Sequence, residues 1–488
     1  MVAGAKVRVT NTGTGAVLET TSNTNGDYVT PNLIPAVYAL RVEHPGFRSV
    51  EVKQITLLTS LTVRNDIRME PGELQQSVSV EAAAPVVSSE SSSVASNVDA
   101  HTVVTLPLNG RTLDRLIQIT AGNTSDSASN PKLGGSLHWG GNFFTIDGVG
   151  FNDLGNGGAA YSYQTALSTT PSVDTIQEFK IETNNAKAEN EGSAAISIIT
   201  KSGTNQLHFT LFEFNRNRVA AAKEFFATGL PKPPYNRNEF GATAGGPVIK
   251  NKTFFFSSYE GLRQRTARTN VMSVGTAAMR AGDFSGLGVI KDPLSATGAP
   301  FPNNIIPTAR ISPQAQTLVS YVPLPNQAGT VGASGPANNY AVNVGNVLDV
   351  NRYTAKGDHI FNAKNSISVT MGYSKGSPYF VALGTPANYG NFGDGGYTTK
   401  NASLGYNRTF SPTILNEFRY SYFNHASLRI GQNTTFDPTT IFPTLYKPLP
   451  IGGLPNVSIA GFQGIADSGG SPRAPQITQQ LTDNLSIV

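Results

Sequence analysis

The sequence predicts a mainly β protein with three parts: an N-terminal β-sandwich, a small α+β domain, and the first part of a large antiparallel transmembrane β-barrel, which is incomplete. Three observations predict this fold class. The chain contains 49 Gly and 30 Pro, which interrupt helical hydrogen bonding. Several segments alternate between apolar and polar residues. Only 14% of the residues are charged, well below the roughly 25% of soluble domains.

The alternation is clearest at residues 366–374, where Ile367, Val369, Met371 and Tyr373 are separated by Ser, Thr and Gly. Because successive strand side chains point to opposite faces, such a segment has one apolar face and one polar face. An aromatic-rich outer face and a small, polar inner face are what a barrel in a lipid bilayer requires. The same pattern recurs at residues 401–407 and 417–422.

Composition and spacing exclude several function classes. The net charge of +4 comes from scattered basic residues that form no patch for nucleic acid. The chain has no Cys, which excludes a disulfide scaffold and a thiolate metal site. Without a phosphate-binding loop or a Gly-x-Ser-x-Gly elbow, we expect no catalytic residues, no enzyme activity and no cofactor. We expect no metal site, because six His residues lie far apart: His44, His101, His138, His208, His359 and His425.

The sequence also bears on membrane insertion and export. It has no run of about twenty apolar residues, so a transmembrane helix is not expected, and a membrane-embedded chain has to form a barrel. Residues 1–4 lack the basic and apolar regions of a signal peptide. We therefore expect that the chain either is not exported or begins downstream of its true start.

Residues 1–72 are predicted to form the β-sandwich. Alternation and turn residues divide this region into short strands, and Asn25, Gly26 and Asp27 supply one of the turns. The expected strands lie around Val7 and Val9, around Val17 and Leu18, at Tyr28 and Val29, and at residues 38–42, 49–58 and 61–69, the last of which closes the module.

Residues 73–100 are predicted to be an extended linker, because the Ser and Glu run at residues 88–93 cannot bury enough apolar surface to order itself. Residues 101–203 mix a short helix, short strands and Gly-rich loops, which indicates a small α+β domain. Its helix is expected at residues 112–119 with Thr112 as the N-cap, and its strands at residues 143–147, 176–183 and 194–200.

From residue 204 to residue 488 the pattern becomes long strands with alternately tight and long connections. Residues 411–413 form a tight turn, whereas residues 277–351 form a long stretch rich in Pro and Gly. Short turns at one rim and long loops at the other are typical of outer-membrane barrels. At about 25 to 30 residues for each strand with its loop, this region supplies roughly ten strands, so we expect an incomplete barrel.

The order of these parts and several separated motifs resemble a TonB-dependent outer-membrane receptor of the Oar-like type. In that family a carboxypeptidase-regulatory-like sandwich precedes a plug domain and a large barrel. The most distinctive match is GGPVIKNKTFFF at residues 245–256, which is similar to an early barrel hairpin. The other matches are residues 4–7 and 20–28 of the sandwich, residues 106–111, 145–149 and 176–179 of the plug, and residues 198–205, which lead from plug to barrel.

Two features depart from the family pattern. Residues 188–192 read AENEG where the family usually has a Glu-Tyr-Gly-like turn, and the chain ends in SIV instead of an aromatic strand. The match also lacks the first strand of the sandwich, so that domain is expected to be truncated at its start. We therefore expect a fragment that lacks both ends.

The resemblance implies active transport of a ligand across the outer membrane of a Gram-negative-type bacterium, with the N-terminal domain in the periplasm. The implied partners are TonB with ExbB and ExbD, outer-membrane lipid, and a ligand of the siderophore, oligosaccharide or peptide class. The regulatory-like domain is a non-catalytic appendage in this family, so it implies no peptidase activity.

The candidate TonB box comprises Ser77, Val78, Ser79 and Val80, within residues 76–82. An extended peptide with alternating Val residues and free backbone groups can add as a strand to the exposed sheet edge of a partner. The segment can also be the final strand of the sandwich or an inert linker.

The candidate plug-motif residues are Asn109, Gly110, Arg111, Asp147 and Gly148. Asp147 and Gly148 can be interpreted as part of a metal site or as a turn that ends a strand. The turn is favoured, because no further carboxylates lie nearby at the spacing of a calcium loop.

Candidate ligand contacts are Tyr161, Tyr163, Tyr389 and Tyr397, which lie in Gly- and Asn-rich stretches that are predicted to be loops. Exposed rings there could stack on a sugar or a chelate. Packing within loops or at the membrane interface is the alternative. Trp139, among Gly residues, is expected to pack within its domain.

A second function class explains the same richness in Gly, Asn and Tyr. The chain could be a surface or secreted carbohydrate-binding or adhesion protein built from β-domains. Fractionation separates the two hypotheses: a transporter should require detergent and migrate differently after heating, whereas an adhesin module should be soluble without its anchor.

Overall fold

The computed structural model describes most of the chain as three bodies of β-structure. They are an N-terminal sheet, a second sheet within residues 94–200, and a nine-stranded sheet from residue 208 onward. None of the helices in the described ranges has the length and hydropathy of a membrane span. The described residues are 1–30, 33–59, 63–72, 77–81, 94–106, 111, 117, 121–123, 133, 142–150, 152–153, 158–159, 171–184, 194–222, 232–332, 335–380, 395–411, 414–429, 436–443, 453–455, 457–465, 471–472 and 475–487.

The N-terminal domain is a five-stranded sheet in the order β2-β1-β3-β4-β5. Alternate residues are buried, among them Val7, Val9 and Leu40, because the sheet packs its core against one face. Ile67 and Met69 cover that core from a segment outside the sheet. The strands are β1 (Lys6–Asn11), β2 (Val17–Thr21), β3 (Ala36–Glu43), β4 (Ser49–Leu57) and β5 (Ser77–Glu81).

Two predicted strands of this domain are wrong. Tyr28 and Val29 follow their turn without joining a ladder, and residues 63–70 run extended outside the sheet. The side chains of residues 63–70 alternate in burial, which explains the prediction. The free edge of β4 is occupied instead by β5, which pairs with it in parallel.

The second domain, which we call the plug after the resemblance described above, is a five-stranded sheet in the order β6-β11-β12-β7-β8. Its core is apolar, and Phe144, Phe179 and Ile196 are fully buried. The elements are β6 (Val94–Asp99), α1 (Ala100–Thr105), β7 (Asn142–Ile146), β8 (Val149–Gly150), β9 (Asn152–Asp153), β10 (Gly158–Ala159), β11 (Ile176–Asn184) and β12 (Ala194–Thr200), of which β9 and β10 pair only with each other. The strands β7, β11 and β12 agree with the sequence prediction to within one residue.

The prediction of a linker at residues 73–100 is corrected by β5 and β6, which both lie inside it. β6 pairs antiparallel with β11, where Val98 lies opposite Phe179. Its own Ser and Asn residues have little strand propensity, so the pairing depends on the edge that β11 offers. The helix predicted at residues 112–119 lies outside the described residues except for Ile117, which is buried in the plug core, and Trp139 also lies outside them.

The large sheet is an antiparallel series in the order β13-β14-β15-β18-β19-β20-β21-β24, with β25 also paired to β21. Within the described ranges its first strand does not pair with its last. The strands after the plug are β13 (His208–Asn217), β14 (Tyr235–Ile249), β15 (Thr253–Met272), β16 (Thr330–Gly332), β17 (Gly335–Ala337), β18 (Tyr340–Asn362), β19 (Asn365–Phe380), β20 (Gly395–Ser411), β21 (Ile414–Arg429), β22 (Val457–Ile459), β23 (Phe462–Ile465), β24 (Ser471–Pro472) and β25 (Gln476–Ile487).

Short and long connections lie at opposite rims of this sheet, as predicted. Ile249 pairs with Thr253 across one tight turn, and Ser411 pairs with Ile414 across another. The connection from β15 to β18 is long and contains α2 (Ala277–Arg280), α3 (Pro313–Ser320) and the β16-β17 pair. It is shorter than the predicted stretch of residues 277–351, because β18 already begins at Tyr340.

The faces of the large sheet alternate in the sense that the sequence predicts. In β19, Thr370 and Ser374 are 3% and 8% exposed, whereas Met371 and Tyr373 are 57% and 38% exposed. A water-soluble sandwich would turn its apolar side chains inward instead. In β19, small polar residues therefore face the inside of the sheet, and apolar residues face its outside.

Four aromatic rings form a row across the outer face. Phe240 and Tyr259 have ring centroids 6.2 Å apart, Tyr259 and Tyr353 5.0 Å, and Tyr353 and Tyr373 6.2 Å. These residues belong to four neighbouring strands, so each contact ties a strand to the next. Rows of this kind are typical of the aromatic girdles of membrane barrels.

The N-terminal domain contacts both other bodies. The backbone amide of Thr59, just after β4, donates to both carboxylate oxygens of Glu178 in β11 at 2.9 Å. At the rim, the amide of Asn205 donates to the carbonyl of Gly13 at 2.9 Å, and its side-chain nitrogen donates to the carbonyl of Thr14 at 2.6 Å. The amide of Asn251, in the turn between β14 and β15, donates to the side chain of Asn205 at 2.9 Å.

We predict that Met371→Arg in the full-length protein reduces the folded barrel in outer membranes, because a cation on the lipid face costs up to about 4 kcal/mol at the bilayer midplane. Met371→Leu is the matched control and should fold normally. The measurement is the fraction of protein that migrates differently before and after heating in detergent gels. Equal fractions for the two variants would show that this face does not contact lipid.

A second prediction concerns pH. Burial raises the pKa of Glu178 above its ordinary value of 4.5, and the bonds from Thr59 oppose that rise. We expect undocking of the N-terminal domain from the plug to expose Glu178 to water and to return its pKa towards 4.5. Docking then takes up a proton, and the docked population should rise as the pH falls through the raised pKa towards 4.5. Glu178→Gln should remove this pH dependence and keep the docked state, whereas Glu178→Ala should weaken docking at every pH.

The docked population can be measured as the distance distribution between spin labels at Lys53→Cys in β4 and Lys252→Cys at the rim. The absence of Cys from the chain leaves these labels without competing sites. A distribution that does not change with pH in the parent protein would contradict the role of Glu178.

Candidate functional site at the plug and barrel interface

The plug lies against the inward face of the large sheet, and the contact is mostly polar. Among the described residues, Phe423 of β21 is an apolar side chain that crosses it; Phe423 is 3% exposed and belongs to the plug core. Further contacts join charged, hydroxyl or backbone groups of the plug to residues of β14, β15, β18, β19, β21 and β25. Their geometry makes this interface the candidate functional site.

Arg111 is the centre of one cluster. Its Nη2 donates to Oδ2 of Asp174 at 2.7 Å, and its Nε lies 3.3 Å from Oε1 of Glu239 in β14. Arg237 holds the other oxygen of Glu239 at 2.9 Å, and the guanidinium of Arg111 lies 4.0 Å from the ring centroid of Phe214. Asp174 and Glu239 are 5% and 3% exposed. Ionised carboxylates so deeply buried are stable only beside positively charged partners such as these Arg side chains.

Glu260 of β15 forms a second cluster. The hydroxyl of Ser172 in the plug donates to Oε2 of Glu260 at 2.5 Å. Oε1 pairs with the guanidinium of Arg352, which lies directly opposite Glu260 on β18. Ser172 and Asp174 belong to the same short turn before β11. This one segment of the plug therefore holds Glu260 of the wall, as we call the inward face of the large sheet, and the plug residue Arg111, which pairs with Glu239 of the wall.

Asp147 forms the third cluster, at the turn between β7 and β8. Its carboxylate accepts from the amide and hydroxyl of Thr200 at 2.9 and 2.7 Å and from the hydroxyl of Thr370 in β19 at 3.0 Å. Lys356 of β18 lies 3.5 Å away, and Arg419 of β21 donates to the carbonyl of Asp147 at 2.5 Å. One residue therefore connects the plug to three barrel strands.

The backbone at this turn explains the Asp-Gly pair. Asp147 has φ of 49° and Gly148 has φ of 79°, a region that Gly and Asp tolerate better than other residues. A Cβ on Gly148 would lie 1.8 Å from Nη1 of Arg419. Within the described ranges, no three His, Asp or Glu side chains converge as metal ligands would.

The remaining predicted site residues fall in different places. Ser77, Val78, Ser79 and Val80 lie in β5 and pair with β4. Tyr397 lies in strand β20 and not in a loop; it is 4% exposed and stacks on His425 at 6.2 Å, because its position in β20 faces inward. Asn109, Gly110, Tyr161, Tyr163 and Tyr389 lie outside the described residues.

Sequence reasoning missed most partners of the plug. Glu239, Glu260, Arg352, Lys356 and Arg419 were not singled out, although each is a charged residue on the polar face of an alternating strand. A charge at such an inward position is costly unless it is paired. That pattern could have identified the wall residues, but not the plug residues that contact them.

Comparison with known proteins agrees with this architecture. Residues 199–488 match the family described as outer membrane beta barrel domain, and residues 1–70 match the carboxypeptidase regulatory-like domain. The TonB-dependent transporter Oar of Myxococcus xanthus is 25% identical over 255 residues, which cover 49% of this chain and 23% of Oar.

Two solved structures are also similar. The siderophore receptor PirA from Acinetobacter baumannii has a TM-score of 0.44 at 12% identity, covering 80% of this chain and 45% of PirA. The outer membrane transporter YddB from Escherichia coli has a TM-score of 0.41 at 10% identity, covering 69% of this chain and 39% of YddB. The chain thus spans about a quarter of Oar and less than half of either receptor.

The barrel match covers more than half of the chain and includes every strand of the large sheet. The regulatory-like match coincides with the first four strands of the N-terminal sheet. The matched relative is a transporter and not an enzyme. The chain therefore belongs to the outer membrane beta-barrel family, with a carboxypeptidase regulatory-like domain before its barrel and homology to the TonB-dependent transporter Oar.

Proposed function

We propose that the full-length protein actively transports a ligand across the outer membrane, with the plug as the gate and TonB, energised by ExbB and ExbD, as the source of work. The chemistry of the plug and barrel interface carries this proposal. Arg111, Ser172 and Asp147 contact the wall through ion pairs and hydrogen bonds. A gate that has to move needs contacts that water can replace.

A polar interface lowers the free energy of moving the gate. Buried ion pairs gain little net stability, because the attraction is offset by the loss of hydration. When water enters, each charge recovers that hydration, so the opened state is not penalised as an exposed apolar surface would be, at about 25 cal/mol for each Å². Phe423 is the apolar exception and limits how far the plug moves at low cost.

TonB would exert its force on residues 76–82. It would bind Ser77, Val78, Ser79 and Val80 by strand addition. Ligand would be captured by the long loops and the outer side of the plug, where Tyr161, Tyr163 and Tyr389 are the proposed contacts. Tyr397, buried beside His425, would contact ligand only after the interface opens.

The transported class is proposed to be a siderophore, an oligosaccharide or a peptide. The test is uptake of labelled ferric siderophores, maltooligosaccharides and peptides by cells that express the full-length gene. One class should accumulate, and only when TonB is present. Accumulation that persists in a strain without TonB would contradict energised transport.

We predict that Arg111→Ala opens the barrel, because losing one partner of a buried ion pair costs about 3–5 kcal/mol. Asp174 and Glu239 would remain buried without that partner. Cells should become susceptible to a large hydrophilic antibiotic that an intact outer membrane excludes. The matched control is Arg265→Ala, whose ion pair with Asp349 is exposed and contributes about 0–1 kcal/mol; equal susceptibility of both variants would contradict the gate.

Deleting residues 76–82 should abolish energised uptake and leave ligand binding at the cell surface intact. Val78→Pro with Val80→Pro should do the same, because Pro removes two backbone donors from the segment. Val78→Ile with Val80→Ile keeps the backbone donors and should retain uptake. Loss of binding together with uptake would count against these residues as the TonB box.

A further inference from the structure

We propose that the N-terminal domain stores the candidate TonB box as strand β5, and that TonB can bind this segment only after β5 separates from β4. The inference rests on the proposed function, because it takes residues 77–80 as the box. In the parallel ladder, Val50 lies opposite Val78 and Val52 lies opposite Val80. The backbone groups along one edge of the box are therefore already paired with β4.

β5 is built to be the separable strand of its sheet. It is last in the order β2-β1-β3-β4-β5. Among the described strands of this sheet, β5 alone pairs in parallel, a geometry slightly less stable per residue than an antiparallel one. The described core of the domain comes from the other strands, through Val7, Leu40 and Val52. The four-stranded sheet thus keeps the contacts among these residues when β5 leaves.

The rest of the domain is anchored. Asn205 holds the turn after β1 through Gly13 and Thr14, and Glu178 holds Thr59 at the end of β4. TonB pulls towards the inner membrane in the proposed function. β5 can follow only if the β4–β5 ladder opens or these anchors break, and the ladder is the contact at the edge of the sheet.

The connection to the plug suits this order of events. Residues 82–93 join β5 to β6, and twelve residues reach about 40 Å when extended. Tension from TonB has to pass along these residues before it reaches β6. Tension then acts on β6, the edge strand of the plug sheet, which pairs with β11.

The test is a disulfide between Glu51→Cys in β4 and Ser79→Cys in β5. These residues lie opposite each other on neighbouring strands, and this spacing suits a disulfide. Residues 1–488 contain no other Cys, and any Cys elsewhere in the full-length protein is replaced by Ser in every variant. Binding of the purified periplasmic domain of TonB to the purified full-length variant is measured before and after reduction. The oxidised protein should bind at least about tenfold more weakly, because apparent affinity falls with the fraction of competent protein.

Two variants serve as controls. Arg8→Cys with Glu19→Cys cross-links the exposed pair on β1 and β2 and should bind equally in both redox states, and Ser79→Cys alone should bind like the parent. Equal binding by oxidised and reduced Glu51→Cys/Ser79→Cys would overturn storage of the box. If deleting residues 76–82 leaves TonB binding unchanged, the box assignment itself fails, and that result is separate from the outcome of the cross-link.

Discussion

The inward face of the large sheet carries ionised side chains that water barely reaches, and the rest of the structure depends on how they are paired. Glu239 and Glu260 each have an Arg partner on the wall and a further partner from the plug. An unpaired charge at these depths would be prohibitively costly. The plug therefore does more than occupy space beside the sheet, because Arg111 and Ser172 supply partners to the buried carboxylates of Glu239 and Glu260.

The same constraint explains the outer face. With the polar side chains committed to the interior, strand alternation places Met371, Tyr373 and Tyr353 on the outside, where they are largely exposed. The hypothesis of a soluble adhesin requires these rings to turn inward. They form part of an outer row instead, as expected for a surface in contact with lipid.

The strands, their two faces and the turn at Asp147 could be predicted from the sequence, because each depends on residues close together in the chain. Period-two alternation identified strands and faces, and the Asp-Gly pair identified the turn at Asp147. The partners of Asp147 could not be predicted, since Thr370 and Arg419 lie more than 200 residues away and nothing local marks them as neighbours. β6 was missed, and β5 was left open as a strand or a linker, for a related reason: these short segments become strands only where β4 and β11 offer a free edge.

The three domains converge on β11. β6 pairs with it, so tension arriving along the chain acts on β11 from its edge. Thr59 of the N-terminal domain bonds to Glu178 on the same strand, opposite Asp99 at the end of β6. The turn immediately before β11 carries Ser172 and Asp174, which hold the wall acid Glu260 and the plug residue Arg111. A displacement of β11 in the proposed transport cycle would therefore act directly on the ion pairs that keep the gate closed, with no need for a longer route through the plug core.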